Sequence, residues 1–150
     1  MNPKSPADIE AMRVSGKMLA TILQIMREQA VAGITPKELA IIAASELKAL
    51  GGTPSFLGYG PGNPFPDVIC ISVNDQVQHC IPNNTPLEDG DAVNFDFGVT
   101  YNGLITDAGI TVCVGGEPSS DVRRLKNGTE EALKSDIKVI KPVIKVGDIS

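Results

Sequence analysis

An Asn102-Gly103 pair, set between two runs rich in β-branched and aromatic residues, constrains this chain more than any other feature. Both residues tolerate positive φ, which a two-residue type I′ hairpin demands. Residues 94–112 are therefore expected to fold as two antiparallel strands joined at that turn. With the turn setting the register, Thr100 faces Ile105 and Gly98 faces Asp107. Side chains alternate between faces along a strand, so Asp96 and Gly98 share a face, and Asp107 lies on it diagonally across from Asp96. Two carboxylates then converge over a glycine.

The flanking Val93, Phe95, Phe97, Val99, Ile110 and Val112 have the pattern of core strands. Like charges beside a core raise each other's pKa unless something neutralises them. A divalent cation is one neutraliser: oxygen-rich sites suit Mg, Ca and Mn, and mixed oxygen and imidazole sites suit Mn, Fe, Co and Zn. The plainer alternative leaves one Asp solvated at a sheet edge while the other caps a turn. A one-residue slip in register would put the two carboxylates on opposite faces and remove the metal reading.

Length and charge narrow the rest. A chain of 150 residues has room for one domain with a sizeable core. The net charge of −5 and pI near 4.8, with Lys and Arg dispersed, provide no basic footprint for nucleic acid or an anionic membrane. No apolar run approaches the length of a membrane span, and the N-terminal stretch lacks the apolar segment of a signal peptide. Cys70, Cys80 and Cys113 fall at no zinc-finger or redox spacing and suit reduced, packed thiols. The cytoplasm is the expected location.

Along the chain, Ser5-Pro6-Ala7-Asp8 supplies a cap, a proline at the first helical position and a first-turn acid. Ile9, Met12, Leu19, Ile22, Leu23 and Met26 then give an apolar stripe, and Gly33 is expected to end that helix. Thr35-Pro36-Lys37-Glu38 opens a second helix with a capping-box pattern. Leu39, Ile42, Ala43, Leu47 and Leu50 form its buried face, and Gly51-Gly52 closes it. From Thr53 to Pro66, Gly, Pro and aromatics exclude regular helix or central strand and suit a loop that carries binding residues. Residues 68–73 read as a strand, Asn74-Asp75 as a turn, and Gln76–His79 as a short return that delivers the chain's single histidine. Gly115-Gly116-Glu117-Pro118 breaks the chain. Ser119-Ser120-Asp121 starts a third helix, whose expected buried face is Val122, Leu125, Ala132, Leu133, Ile137 and Ile140, with Pro142 at or beyond its end. Residues 143–149 align loosely with residues 33–39 at an offset of 110, the mark of a second copy of the connection between the first two helices.

Several of these segments together resemble a known family. Gly58-Tyr59, the run from Ile69 through His79 to Pro82, Asp89-Gly90-Asp91, Asp96-Phe97-Gly98, and Asp107, with ten residues between the two acids, are similar to the type I methionine aminopeptidases. The resemblance runs from Ser5 to Ser150. It implies an α+β fold, one half of a "pita-bread" architecture, with an antiparallel sheet backed by two to three helices. Residues 1–150 would be the N-terminal part of the catalytic domain, with the second half absent after Ser150.

The resemblance also implies a site. Asp96 and Asp107 match the family's metal-ligating aspartates, and two divalent ions (Co, Mn, Fe or Zn) are the implied cofactors. His79 matches the histidine that hydrogen-bonds substrate near the scissile amide. Tyr59, Phe65 and Cys70, with Phe56 nearby, fall where the family lines its methionine pocket, which suits a thioether because sulfur–aromatic contacts are favourable. The implied reaction is removal of the N-terminal Met from nascent polypeptides, with ribosome proximity as a partner expectation. The family's remaining ligands, one His and two Glu, find no counterpart before Ser150. Cys80 stands where the family usually has Gly. Three alternatives accompany this reading: a catalytically inactive binding module, a half-length homodimer that places four aspartates around the metals, and a pita-bread peptidase acting on Xaa-Pro bonds.

Overall fold

The computed structural model describes residues 4–149, which form two compact units separated after Gly116. The first unit runs α1 (Pro6–Gln29), α2 (Pro36–Leu50), β1 (Thr53–Pro54), β2 (Ile69–Val73), β3 (Ala92–Tyr101) and β4 (Leu104–Cys113). The second holds α3 (Ser120–Val139) and a 3-10 turn at Val146–Asp148.

Both leading helices begin as their caps dictate. Ser5 Oγ accepts from the Asp8 amide while Asp8 accepts from the Ser5 amide, and Thr35 and Glu38 repeat the exchange. The first helix stops at Gln29 rather than Gly33, because the Ala30 amide makes the closing bond to Met26 O. Gly33, at φ +94°, instead turns the chain toward Thr35 and donates its N–H to Leu87 O at 2.8 Å. Gly51 ends α2 in the left-handed conformation.

The hairpin register is as the Asn102-Gly103 turn requires. Thr100 pairs with Ile105 and Gly98 with Asp107, and both turn residues have positive φ. β3 is the centre of an all-antiparallel sheet: β4 takes one of its edges along the full ten residues, and β2 and β1 share the other. The two-residue β1 was not apparent from the sequence.

Alternation then divides the sheet into two faces. Val93, Phe95, Phe97 and Val99 of β3, with Ile69 and Ile71 of β2, are buried against Leu19, Ile22, Leu23 and Met26 of α1 and Leu39, Ala43 and Leu47 of α2. Burial at about 25 cal/mol per Å2 of apolar surface makes this face the main source of the unit's stability. Ser15, fully buried in α1, donates to Val99 O at 3.2 Å and shares a 2.7 Å hydrogen bond with Thr106, stitching helix to hairpin. Ile9 and Leu50, expected in the buried stripes, are exposed, since each lies at a helix end beyond the reach of the sheet.

The opposite face carries Cys70, Asp96, Gly98, Ile105 and Asp107, by the same alternation. The expected return strand at Gln76–His79 is a bend, because His79 takes φ +72° and cannot continue an extended chain. In the second unit α3 starts at the Ser119 cap and runs through Asn127-Gly128, but none of its residues is buried. The expected face of Leu125, Leu133, Ile137 and Ile140 is exposed, so the amphipathic stripe there does not form a core.

Candidate active site

The site is built on the open face of the hairpin. Each acid of the pair stands opposite a glycine: Asp96 faces Gly109 and Asp107 faces Gly98. Both glycines stand where a side chain would be crowded, Gly98 more than Gly109. A Cβ on Gly98 would come within 2.0 Å of Ser55 Oγ and 2.8 Å of the Phe56 ring, and one on Gly109 within 3.1 Å of Phe95 O. The two interlocked Asp–Gly pairs therefore hold the carboxylates diagonally, with open space above them.

Asp96 is only 7% exposed, and its Oδ2 accepts from Gln78 Nε2 at 3.0 Å. The pKa of Asp107 is raised above the ordinary value, first by burial, then by the charge and hydrogen bonding of Asp96, with His79 acting in the other direction. Cys70, directly across from Asp96 in the register, is pushed up to about 12, mainly by burial and then by Asp96 and Asp107. A thiol so disposed stays protonated at neutral pH and acts as a soft wall, not a nucleophile.

A cavity of about 620 Å3 opens over this face. Asp96, Asp107 and His79 lie on it with Phe56, Tyr59, Phe65 and Cys70, so every site residue proposed from the sequence borders one space. The loop after β1 brings the aromatics in: Ser55 N bonds to Gly98 O at 3.1 Å, and Gly58 and Phe65 close the loop through a 2.9 Å backbone bond. The loop's far end is pinned where the Lys37 ammonium pairs with buried Asp67, which also accepts from the Val68 amide just before β2. Tyr59 is 78% exposed at the rim.

Three further residues border the cavity: Ser55, Gln78 and Ile105. Ile105 was legible, since it shares its face with Asp107 by alternation. Gln78 was not, because strand alternation would send it away from its neighbour His79. The left-handed bend at His79 brings both side chains to the same space. No local pattern marks Ser55.

Two carboxylates meeting over glycine are hard oxygen donors suited to a divalent cation. They fill two coordination positions, and among the described residues no third His, Cys, Asp or Glu joins them into a metal-binding group. Among the same residues, no helix is long and apolar enough to cross a membrane.

An antiparallel sheet with helices on one face and an acid pair on the other is the α+β pita-bread arrangement, shared with solved relatives. A methionine aminopeptidase from Thermotoga maritima aligns with a TM-score of 0.92 at 35% identity, covering 99% of this chain and 59% of that one. Aminopeptidase P from Escherichia coli, at TM-score 0.84 and 20% identity over 97% of this chain and 31% of its own, shares the fold. The family model for metallopeptidase family M24 matches residues 9–150, and the chain belongs to that family. A methionine aminopeptidase of Aquifex aeolicus is 38% identical over 152 residues, an alignment that covers 97% of this chain and 58% of that protein. The chain thus spans little more than half the length of the methionine aminopeptidases it matches.

Proposed function

We propose that this chain carries the methionine pocket and the first two metal ligands of a methionine aminopeptidase, which removes the N-terminal Met from nascent polypeptides in the cytoplasm. The observation that carries the reading is the convergence of Asp96 and Asp107 with His79 on one aromatic-rimmed cavity, in a member of the M24 family. In this reading residues 1–150 are the N-terminal part of the catalytic domain, and the remaining ligands come from outside the described residues.

Each residue then has a role. Asp96 and Asp107 hold the divalent ions, whose chemistry when bound is to polarise the scissile carbonyl and lower the pKa of a water. His79 donates a hydrogen bond to the substrate beside the scissile amide. Phe56, Tyr59, Phe65 and Cys70 enclose the methionine side chain, excluding water and offering soft, polarisable contacts. Gln78 orients Asp96 through its amide, as the outer partner of a ligating carboxylate does.

The test is release of free methionine from a Met-Ala-Ser peptide by the purified chain, with Co or Mn and with Asp107→Asn alongside. Metal-dependent release abolished by Asp107→Asn is expected wherever the ligand set is completed, whether by a second copy or by the remainder of the catalytic domain. Release that ignores both the metal and the substitution overturns the assignment. A folded chain that binds Met-Ala-Ser without metal-dependent turnover favours the binding-module reading for these residues alone.

A further inference from the structure

Among the described residues, the one buried side-chain oxygen or nitrogen with no hydrogen-bond partner is Ser55 Oγ. An unmade hydrogen bond of this kind is costly, and such groups in native structures call for a reason. The position of this hydroxyl supplies one. Ser55 borders the cavity, and its Oγ fills the space that a Cβ on Gly98 would take, against the Phe56 ring. Gly98 and Asp96 share a face of β3, so the hydroxyl stands on the face that carries the acids, at the edge of the aromatic wall.

We propose that Ser55 is a specificity-determining residue, whose hydroxyl donates a hydrogen bond to the sulfur of the ligand's side chain in this cavity. The proposal rests on the reading that the cavity receives an N-terminal methionine. A thioether is a weak acceptor with no donor of its own, so it needs one O–H and nothing more. The aromatic rings offer sulfur dispersion and quadrupole contacts, and the protonated Cys70 offers only a weak S–H donor. Ser55 Oγ is closed off against Gly98 in the free chain, and the proposed bond requires it to turn toward a ligand about the one heavy-atom bond of its side chain. The free chain keeps the donor unpaired, and a sulfur-bearing ligand satisfies it, while an all-carbon side chain of equal length leaves it unpaired.

Norleucine, in which a methylene replaces the sulfur, isolates this term. Binding of Met-Ala-Ser and norleucine-Ala-Ser is measured by calorimetry or by ligand-induced rise in unfolding midpoint, in the wild-type chain and in Ser55→Ala. The wild-type chain is expected to prefer the methionine peptide by about five-fold, the worth of one modest hydrogen bond. Ser55→Ala should reduce that preference to what the sulfur–aromatic contacts contribute, with norleucine affinity unchanged and the free chain's unfolding midpoint raised, because an unpaired buried hydroxyl is gone. A methionine preference undiminished in Ser55→Ala overturns the role of Ser55 and leaves the pocket assignment standing. Equal binding of the two peptides by the wild-type chain, or equal weakening of both by the substitution, also overturns it. If the wild-type chain binds neither peptide, the pocket assignment falls with it.

Discussion

The two leading helices and α3 carry similar amphipathic stripes but meet different fates. In α1, Met18, Leu19, Ile22, Leu23 and Met26 are buried, whereas in α3 no residue is, and Leu125 remains 73% exposed. Periodicity therefore identifies the face of a helix that can be buried, and leaves open what covers it. The same contrast recurs within the sheet. One face of β3 sinks Phe95 and Phe97 under the helices, and the other holds Asp96 and Gly98 beneath a cavity.

The sharpest way to break the comparison is to delete equal apolar groups from both helices. Ile22→Ala in α1 is expected to cost about 2–5 kcal/mol of unfolding free energy, the usual penalty for a buried aliphatic truncation. Leu133→Ala in α3 should stay within about 0.5 kcal/mol, as at other exposed positions. Denaturant unfolding of the two variants decides it, and comparable losses would mean that the α3 stripe is covered in solution.

The open face should resist overpacking at one point more than at others. Gly98→Ala drives a methyl into Ser55 Oγ and Phe56, so about 1–3 kcal/mol of stability is expected to be lost and the aromatic wall displaced. Gly16→Ala, a helical glycine whose Cβ would meet nothing within 4 Å, is the control and should be neutral or mildly stabilising. Loss of equal size in both variants would remove steric closeness as the reason for glycine at position 98.

Charge on that face gives a smaller, pH-dependent effect. The folded-state pKa of Asp107 lies above its ordinary value of 3.8, so the folded chain holds that proton more firmly than the unfolded one. The stability this group contributes is full below pH 3.8 and is lost as pH rises through the raised value. Asp107→Asn removes the cost, so in metal-free buffer its unfolding midpoint should exceed the wild type's at pH 7 and converge with it in acid. A gap that is constant across that range would locate the effect in something other than ionisation.

Much of this architecture was legible because its signals are local. The Asn-Gly turn set the register that brings Asp96 and Asp107 together, and the Ser5-Pro6 cap signal and the Thr35–Glu38 capping box placed α1 and α2 to the residue at their starts. The misses all involve tertiary context. Gln76–His79 had strand composition, yet the positive φ of His79 makes it a bend and carries Gln78 onto Asp96. Thr53-Pro54 pairs with the far end of β3, a contact 45 to 47 residues distant for which a two-residue strand leaves no pattern. Ser55 matters only because of what lies against it, and Leu125 or Ile137 could be judged only by the presence of a partner surface.

The finest comparison lies between residues 33–39 and 143–149, aligned at an offset of 110. At the first, Glu38 accepts from the Thr35 amide at 2.8 Å, and the Thr35 hydroxyl caps the Glu38 amide, launching the fifteen-residue α2. At the second, Asp148 accepts from the Lys145 amide at the same 2.8 Å, and lysine has no oxygen to return the bond. Thr35→Ala should therefore cost about 1 kcal/mol, the typical worth of a helix cap. Asp148→Ala should fall within about 0.5 kcal/mol, since no residue of the turn it closes is buried.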